Sequence, residues 1–534
     1  MQSTMMSYPL TMTSLLERSA RLFPNTEIVS RKPDGSVTRY TGADFARRAR
    51  LLASALQKIG LSKGDRVATL MWNHAPHLEA YFGIPCAGMV LHTLNLRLHP
   101  DDIAFIANHA DDKVVIVDDV LFPLWEKVAP YVKVSKVYVV RWNGGELPPG
   151  TEDYESLLAM GDADEALPVL DENDPMGMCY TSGTTGKPKG VVYSHRAISL
   201  HSLAISLPDV LGLSMRDATL AVVPMFHANA WGMPFASVMV GAKQVFPGPH
   251  LDAKNLLDLF ESEKVSIAAG VPTIWLAIQQ ALDAEPGKYR LQPNMRMAVG
   301  GSAAPESMIR AFDKHGMSII HAWGMTELSP VGTVATVRPT IVGEDAIYAA
   351  RSKQGIPLPF IDVRAMSENG EAPWDGTSQG ELEVRGPWVA SKYHALDDQG
   401  DRWSADRWFR TGDVVTIDAQ GYVKLTDRTK DLIKSGGEWI SSVELENAIM
   451  GHPSVLEAAV IAVAHPKWVE RPLACVVLRP GKSATKEEIL AFLETKVAKW
   501  WLPEGVEFVD AIPRTSTGKF LKTALRDRYK DYQV

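Results

Sequence analysis

Cysteine is scarce: three residues, Cys86, Cys179 and Cys475, lie far apart in 534 positions. They form neither a metal-ligand pair nor a disulfide framework. This excludes a stapled secreted domain and leaves small core residues in a reducing compartment. Positive charge is in deficit as well. A formal net charge of −8 at pH 7 leaves no basic stripe to match nucleic-acid phosphates, so no nucleic-acid partner is expected. It does not exclude a small phosphorylated ligand, which needs only a few cations and backbone donors. The first residues acquire charge early and lack a basic segment followed by an apolar one, so no secretory signal is read there. One long uncharged run occurs, Ala221 to Ala242. It is long enough to span a bilayer, but Pro224 and Pro234 interrupt it, and His227 and Asn229 lie inside it. A buried strand, a loop and a core helix are expected there, with no transmembrane segment and a cytoplasmic location.

What is present is an ordinary globular composition, 46% hydrophobic and 22% charged. The length exceeds what one compact core serves, so two or more domains are expected. From about Tyr40 to Glu327, helical and strand patterns alternate. FARRARLLASALQKIG reads as a helix ending at Gly60, DRVATLMW and KVVIVDD read as strands, and the rhythm recurs through KVSIAAGVP and NMRMAVGGSAAP. Such alternation implies parallel βαβ units. After about Gln354 the pattern becomes short strands separated by turn residues. A last unit follows, with capping boxes at Ser441 to Glu444 and Thr485 to Glu488 opening helices around the strands VLEAAVIAVA and RPLACVVLRP. The expected fold is α/β. A large N-terminal domain, residues 1–429, combines βαβ subdomains with a β-rich one. A small mobile α+β domain, residues 430–534, follows a charged, Gly-containing hinge.

The sharpest local feature is Tyr180 to Gly190, YTSGTTGKPKG, after the apolar MGMC and before VVYSH. A loop this dense in Gly, Ser and Thr between strands can present N–H groups and hydroxyls to phosphate oxygens, and Lys189 adds a point charge. It is not a P-loop of the kinase type, because Gly183 to Lys187 is too short and Pro188 stands where Ser or Thr is required.

Four further strings follow in order: His321-Ala-Trp-Gly-Met-Thr-Glu327, Gly380-Glu-Leu-Glu-Val-Arg-Gly386, Arg410-Thr-Gly-Asp413 and Pro513-Arg-Thr-Ser-Thr-Gly-Lys519. With the loop, they make nearly the whole chain resemble the adenylate-forming superfamily of acyl-CoA synthetases, adenylation domains and luciferases. The resemblance implies ATP, Mg²⁺ and coenzyme A as cofactors and a small-molecule carboxylic acid as substrate. It implies that Thr181 and Glu327 hold Mg²⁺, both being hard oxygen donors. Ser182, Gly183, Thr184, Thr185 and Lys189 would hold the β- and γ-phosphates, and Asp413 the ribose hydroxyls with Arg428 in support. Gly301, Ser302 and Ala303, with His321, Ala322, Trp323, Gly324 and Thr326, would form the adenine pocket. Many relatives carry Tyr where this chain has Trp323. Stacking should survive that change and a phenolic hydrogen bond should be lost.

Lys519 would bridge the acyl carboxylate and the α-phosphate on a mobile loop. Rotation of the small domain about Lys430 would then replace it with Lys434 and the Gly436-Gly437 loop, which admits the thiol. The segments around Trp231 and Trp439 look most like bacterial medium- and long-chain fatty acyl-CoA synthetases. By that likeness Trp231 gates the acyl tunnel beside Gly301 and Met325, Trp439 packs at the adenine site, and His227 borders the acyl site and thiol channel. A short thioether acid, an aryl acid or a carrier-protein acceptor are the alternatives. By family, dimers form through the N-terminal domain.

Overall fold

The computed structural model describes residues 1, 3–181, 187–397, 399–435, 438–515 and 519–532. Two largely parallel sheets carry the body. The first has seven strands in the order 152–153, 136–140, 112–118, 66–70, 90–93, 175–180 and 190–194. All its pairs are parallel except the last. The second has nine strands, with a parallel centre running from 317–324 through 295–299, 267–270, 218–221 and 243–246 to 27–31. Buried on both faces, such strands lose period-2 alternation and read as continuous apolar runs. Val114 to Val117 and Ile267 to Ala269 are accordingly all buried. The helix Ala75–Cys86 packs against strands of both sheets and buries nearly every residue. A helix apolar all round has no solvent face and belongs in such a position.

The uncharged run resolves as expected. It contains the end of the strand Ala218–Ala221, a loop and the buried helix Met233–Val240. Among the described residues no helix is long and apolar enough to cross a membrane. All three cysteines are free and buried.

Residues 362–428 form a five-stranded antiparallel sheet, the β-rich subdomain expected from the turn-rich sequence. The C-terminal part has its own sheet of 438–440, 433–435, 469–478 and 455–465, with 505–508 added in parallel. Helix Lys486–Glu494 opens with a complete capping box at Thr485 and Glu488. The box at Ser441 forms only in half. Ser441 accepts from the Glu444 N–H and also donates to the Thr426 carbonyl, while the Glu444 carboxylate pairs with Lys424 on the body. A local helix signal is therefore spent partly on joining the two parts of the chain.

Val469 is the most strained residue of the small sheet, with φ 71° at the start of its strand and a side chain 65% exposed. A β-branched residue in the left-handed region clashes with its own carbonyl and gains no burial in return. Val469→Gly is expected to raise the denaturant midpoint, by about 1 kcal/mol of stability at unchanged slope.

Candidate active site

Three sequence-distant segments meet: two lie at the carboxyl ends of parallel strands, where crevices of open α/β sheets lie, and the third comes from the antiparallel sheet. Strand β1 (Pro175–Tyr180) and strand β2 (Gly190–Ser194) are antiparallel neighbours, with Tyr180 opposite Gly190. The Gly/Ser/Thr segment thus links two strands at the edge of the first sheet. Its neck is closed by Thr181 and Lys189. The Thr181 N–H donates to the Lys189 carbonyl at 3.0 Å, and the Lys189 N–H to Thr181 Oγ1 at 3.1 Å. Ser182, Gly183, Thr184 and Thr185 lie outside the described residues.

In the second sheet, β3 (Met317–Gly324) runs parallel to the strand Met295–Val299. Beyond their ends come Gly300 to Ala304 and Met325 to Glu327. His321 is buried and accepts from the Ala304 N–H at Nε2, 3.4 Å, while Nδ1 meets the Ser352 carbonyl at 3.1 Å. Burial pushes its imidazole down to about 4, so it is a neutral pin under the 300–304 turn. Gly324 permits a close crossing, since a Cβ there would lie 2.1 Å from the Pro330 carbonyl oxygen.

From the antiparallel sheet, β4 (Phe409–Ile417) and β5 (Val423–Arg428) place Asp413 opposite Arg428. Asp413 is 3% exposed. Its Oδ1 lies 3.2 Å from Arg428 Nε, and its Oδ2 accepts from the Trp323 indole N–H at 2.8 Å. Sequence reasoning foresaw only stacking for Trp323. The indole instead reaches across the cleft and fixes the aspartate.

These groups border two connected cavities. The larger, about 590 Å³, is lined by Thr181, Lys189, His227, Trp231, Gly301, Trp323, Met325, Thr326, Glu327, Arg428, Lys430 and Lys519. The smaller, about 270 Å³, is lined by Gly301, Ser302, Ala303, His321, Ala322, Trp323, Gly324 and Asp413, and shares Lys519. Lys519 reaches the junction, where a Cβ on Gly301 would lie 3.7 Å from its Cε. Burial, followed by the Arg428 charge, pushes its ammonium down to about 8 against the opposite pull of Asp413 and Glu327. Burial also takes His227 down to about 3, with Lys519 adding to the shift. His227 is therefore neutral at the cavity wall.

The apolar end is closed by an unusual backbone. Ala228, Asn229, Ala230 and Trp231 all have φ between 42° and 57°, and Gly232 follows at 75°. A left-handed turn of non-glycine residues costs roughly 1–2 kcal/mol per residue and persists only where the surrounding packing over-determines it. Cys179 Sγ supports it by donating to Asn229 Oδ1 at 3.3 Å. The turn sets the Trp231 indole against Gly300, where a Cβ would lie 3.0 Å from the ring.

Not every expected residue arrives. Lys434 is exposed on the strand Ile433–Ser435, with Nζ 5.5 Å from the ring centre of Trp439, itself 47% exposed. Neither lines either cavity. Gly436 and Gly437 lie outside the described residues. One contributor was missed: Tyr393, buried, donates from its hydroxyl to Glu327 Oε1 at 2.7 Å. It stands outside all five strings, so no motif pointed to it.

The family model described as AMP-binding enzyme matches residues 16–394, and that of the AMP-binding enzyme C-terminal domain matches 444–519. The chain belongs to the AMP-binding enzyme family. It is 49% identical to the long-chain-fatty-acid–CoA ligase of Thermus thermophilus, over 99% of this chain and 97% of that protein. It is 45% identical to the 3-methylmercaptopropionyl-CoA ligase of Ruegeria lacuscaerulensis, over 99% of each. The crystal structure of the anthranilate CoA ligase AuaEII with anthranoyl-AMP shares the fold. Its TM-score is 0.86 with 24% identity, covering 98% of each chain. This AMP-binding enzyme is accordingly an acid–thiol ligase.

Proposed function

We propose that this AMP-binding enzyme is an ATP-dependent acyl-CoA synthetase for a medium- or long-chain fatty acid. It forms an acyl-adenylate, then transfers the acyl group to coenzyme A with release of AMP and pyrophosphate. The observation that carries the reading is the position of Lys519, which lines both cavities: the larger, where Thr181 and Glu327 stand with the apolar wall around Trp231, and the smaller, where Asp413 stands. A carboxylate and an α-phosphate are both anionic, and a cation between their approach paths offsets the repulsion that grows as the bond forms. Asp413 suits the ribose hydroxyls because a buried carboxylate accepts hydrogen bonds without supplying a donor.

Mg²⁺ fits the donor set. Thr181 and Glu327 are hard oxygen donors, and no group of three His, Cys, Asp or Glu side chains that could hold a metal occurs among the described residues. That is the pattern for an ion brought with the nucleotide and held by few protein groups. When bound, it would offset charge on the phosphate oxygens.

In this reading residues 1–429 form the adenylating body and residues 430–534 the mobile domain. Lys519 inside and Lys434 outside is the arrangement required for the first half-reaction. The second then requires Lys434 and the 436–437 loop to turn inward about Lys430.

The recess is apolar around Val223, Phe226, Ala228 and Trp231, which favours an alkyl chain over an amino acid. The 45% identity to a 3-methylmercaptopropionyl-CoA ligase keeps a short thioether acid as the second reading. Pyrophosphate release with ATP, Mg²⁺ and coenzyme A, across acetate to palmitate with methylthiopropionate and benzoate, separates the two. A maximum at octanoate or longer supports the fatty acid. A maximum at methylthiopropionate replaces it. Trp231→Ala is expected to move the optimum to longer chains, raising kcat/KM for palmitate relative to octanoate about tenfold, since each buried methylene contributes about 0.8 kcal/mol. An unmoved optimum would remove Trp231 from the acyl wall.

A further inference from the structure

Glu327 lies just beyond a strand of the nine-stranded sheet and Lys189 just before a strand of the seven-stranded one, yet one segment is attached beside both. The Ala390 N–H donates to the Glu327 carbonyl at 2.7 Å, and Ser329 Oγ donates to the Trp388 carbonyl at 3.0 Å. At the other end, the His394 N–H donates to the Gly190 carbonyl at 2.8 Å, just beyond Lys189. Between these ties stands Tyr393, 3% exposed. Its hydroxyl donates to Glu327 Oε1 at 2.7 Å, and Lys189 Nζ lies 4.8 Å from its ring centre. The ring is itself held edge-on against Trp403, at 5.3 Å, and the Trp403 indole N–H donates to the Ala390 carbonyl at 2.9 Å.

We propose that Tyr393 is a positioning residue that presets the cation-binding carboxylate and the phosphate-binding lysine relative to one another. Its hydroxyl commits Oε1 of Glu327, so a cation arriving with ATP meets Oε2 in a fixed orientation. Its ring face holds the Lys189 ammonium by cation–π attraction without neutralising it. A carboxylate ion would compete with phosphate for that ammonium, whereas a neutral ring does not. Second partners of this kind orient metal-binding carboxylates, and their loss typically weakens metal affinity tenfold to a hundredfold.

The inference rests on the adenylating reading, and its test is a binding measurement that needs no knowledge of the acid. Calorimetric titration compares ATP with Mg²⁺, ATP with EDTA, and AMP, on the full chain and on Tyr393→Phe. The variant is expected to bind ATP with Mg²⁺ on the order of tenfold more weakly while AMP affinity stays unchanged. In a Glu327→Gln background the same substitution is expected to add nothing, because Tyr393 acts through that carboxylate. Equal losses for ATP and AMP would make Tyr393 a merely structural support and overturn the proposal. So would an unchanged Mg²⁺ dependence, or a full additional loss in the Glu327→Gln background. Failure of the unsubstituted chain to bind ATP at all would instead remove the adenylating reading, and this inference with it.

Discussion

Lys519→Met is expected to slow acyl-adenylate formation by at least about a hundredfold while ATP still binds. A preset charge aimed at the developing transition state is worth about that much or more in a water-poor site. The substitution keeps length and apolar contacts and removes the ammonium alone. Its side chain meets Gly301 and lies where the two cavities join, so the loss should appear in turnover and not in the KM for ATP. Thioester formation from supplied acyl-adenylate and coenzyme A should stay within about threefold, because the proposed function gives that step to Lys434. Lys434→Ala should give the converse split. The pH profile carries the same information. On the proposed reading Lys519 acts as the protonated form, and burial, followed by the Arg428 charge, has pushed its pKa down to about 8. Adenylate formation should therefore hold below about pH 8 and fall about tenfold per unit above it, well below the range where an ordinary lysine deprotonates. The Met variant should lose that limb.

Asp413→Ala is expected to raise the KM for ATP by about a hundredfold or more. The carboxylate is buried, and its removal leaves the Trp323 indole N–H without its acceptor and the Arg428 guanidinium without its ion pair. The buried indole N–H left unmatched costs about 1–3 kcal/mol of fold stability, the Arg428 side chain being 36% exposed. On the proposed reading two charged hydrogen bonds to the ribose, about 1.5–3 kcal/mol each, would be lost from ATP binding. The defect should be specific to the nucleotide, with the apparent affinity for the acid unchanged. A defect of equal size for both ligands would mean that Asp413 holds the fold and does not read the ribose. Asp413→Asn separates the cases further. It keeps one acceptor for Trp323, so it should fold as the parent does and still bind ATP weakly.

Much of this architecture is written in local patterns. Apolar runs of strand length between helical segments are what buried parallel strands look like, and the strands at 112–118 and 267–270 were legible for that reason. Gly, Ser and Thr between two such runs mark the connection of the antiparallel edge strands 175–180 and 190–194. What escaped was geometry made by tertiary contact. Trp323 and Asp413 are separated by 90 positions and are joined by a bond no local pattern announces. The left-handed turn ending at Trp231 has only Asn229 and Gly232 as conformational signals, because Ala and Trp seldom adopt positive φ. Tyr393 lies in a segment without periodicity, and its meaning comes from the Glu327 carboxylate across the cleft. The sequence at Ser441 signals a helix start alone, yet both Ser441 and Glu444 also bond to the body, at Thr426 and Lys424.

The most direct test is exchange of labelled pyrophosphate into ATP, driven by the acid in the absence of coenzyme A. Adenylation before thioester formation predicts acid-dependent exchange without the thiol, and formation of acyl-CoA and AMP in equal amounts once the thiol is added. Acyl-CoA made with no exchange under any acid that supports turnover, or release of ADP and phosphate in place of AMP and pyrophosphate, would contradict it.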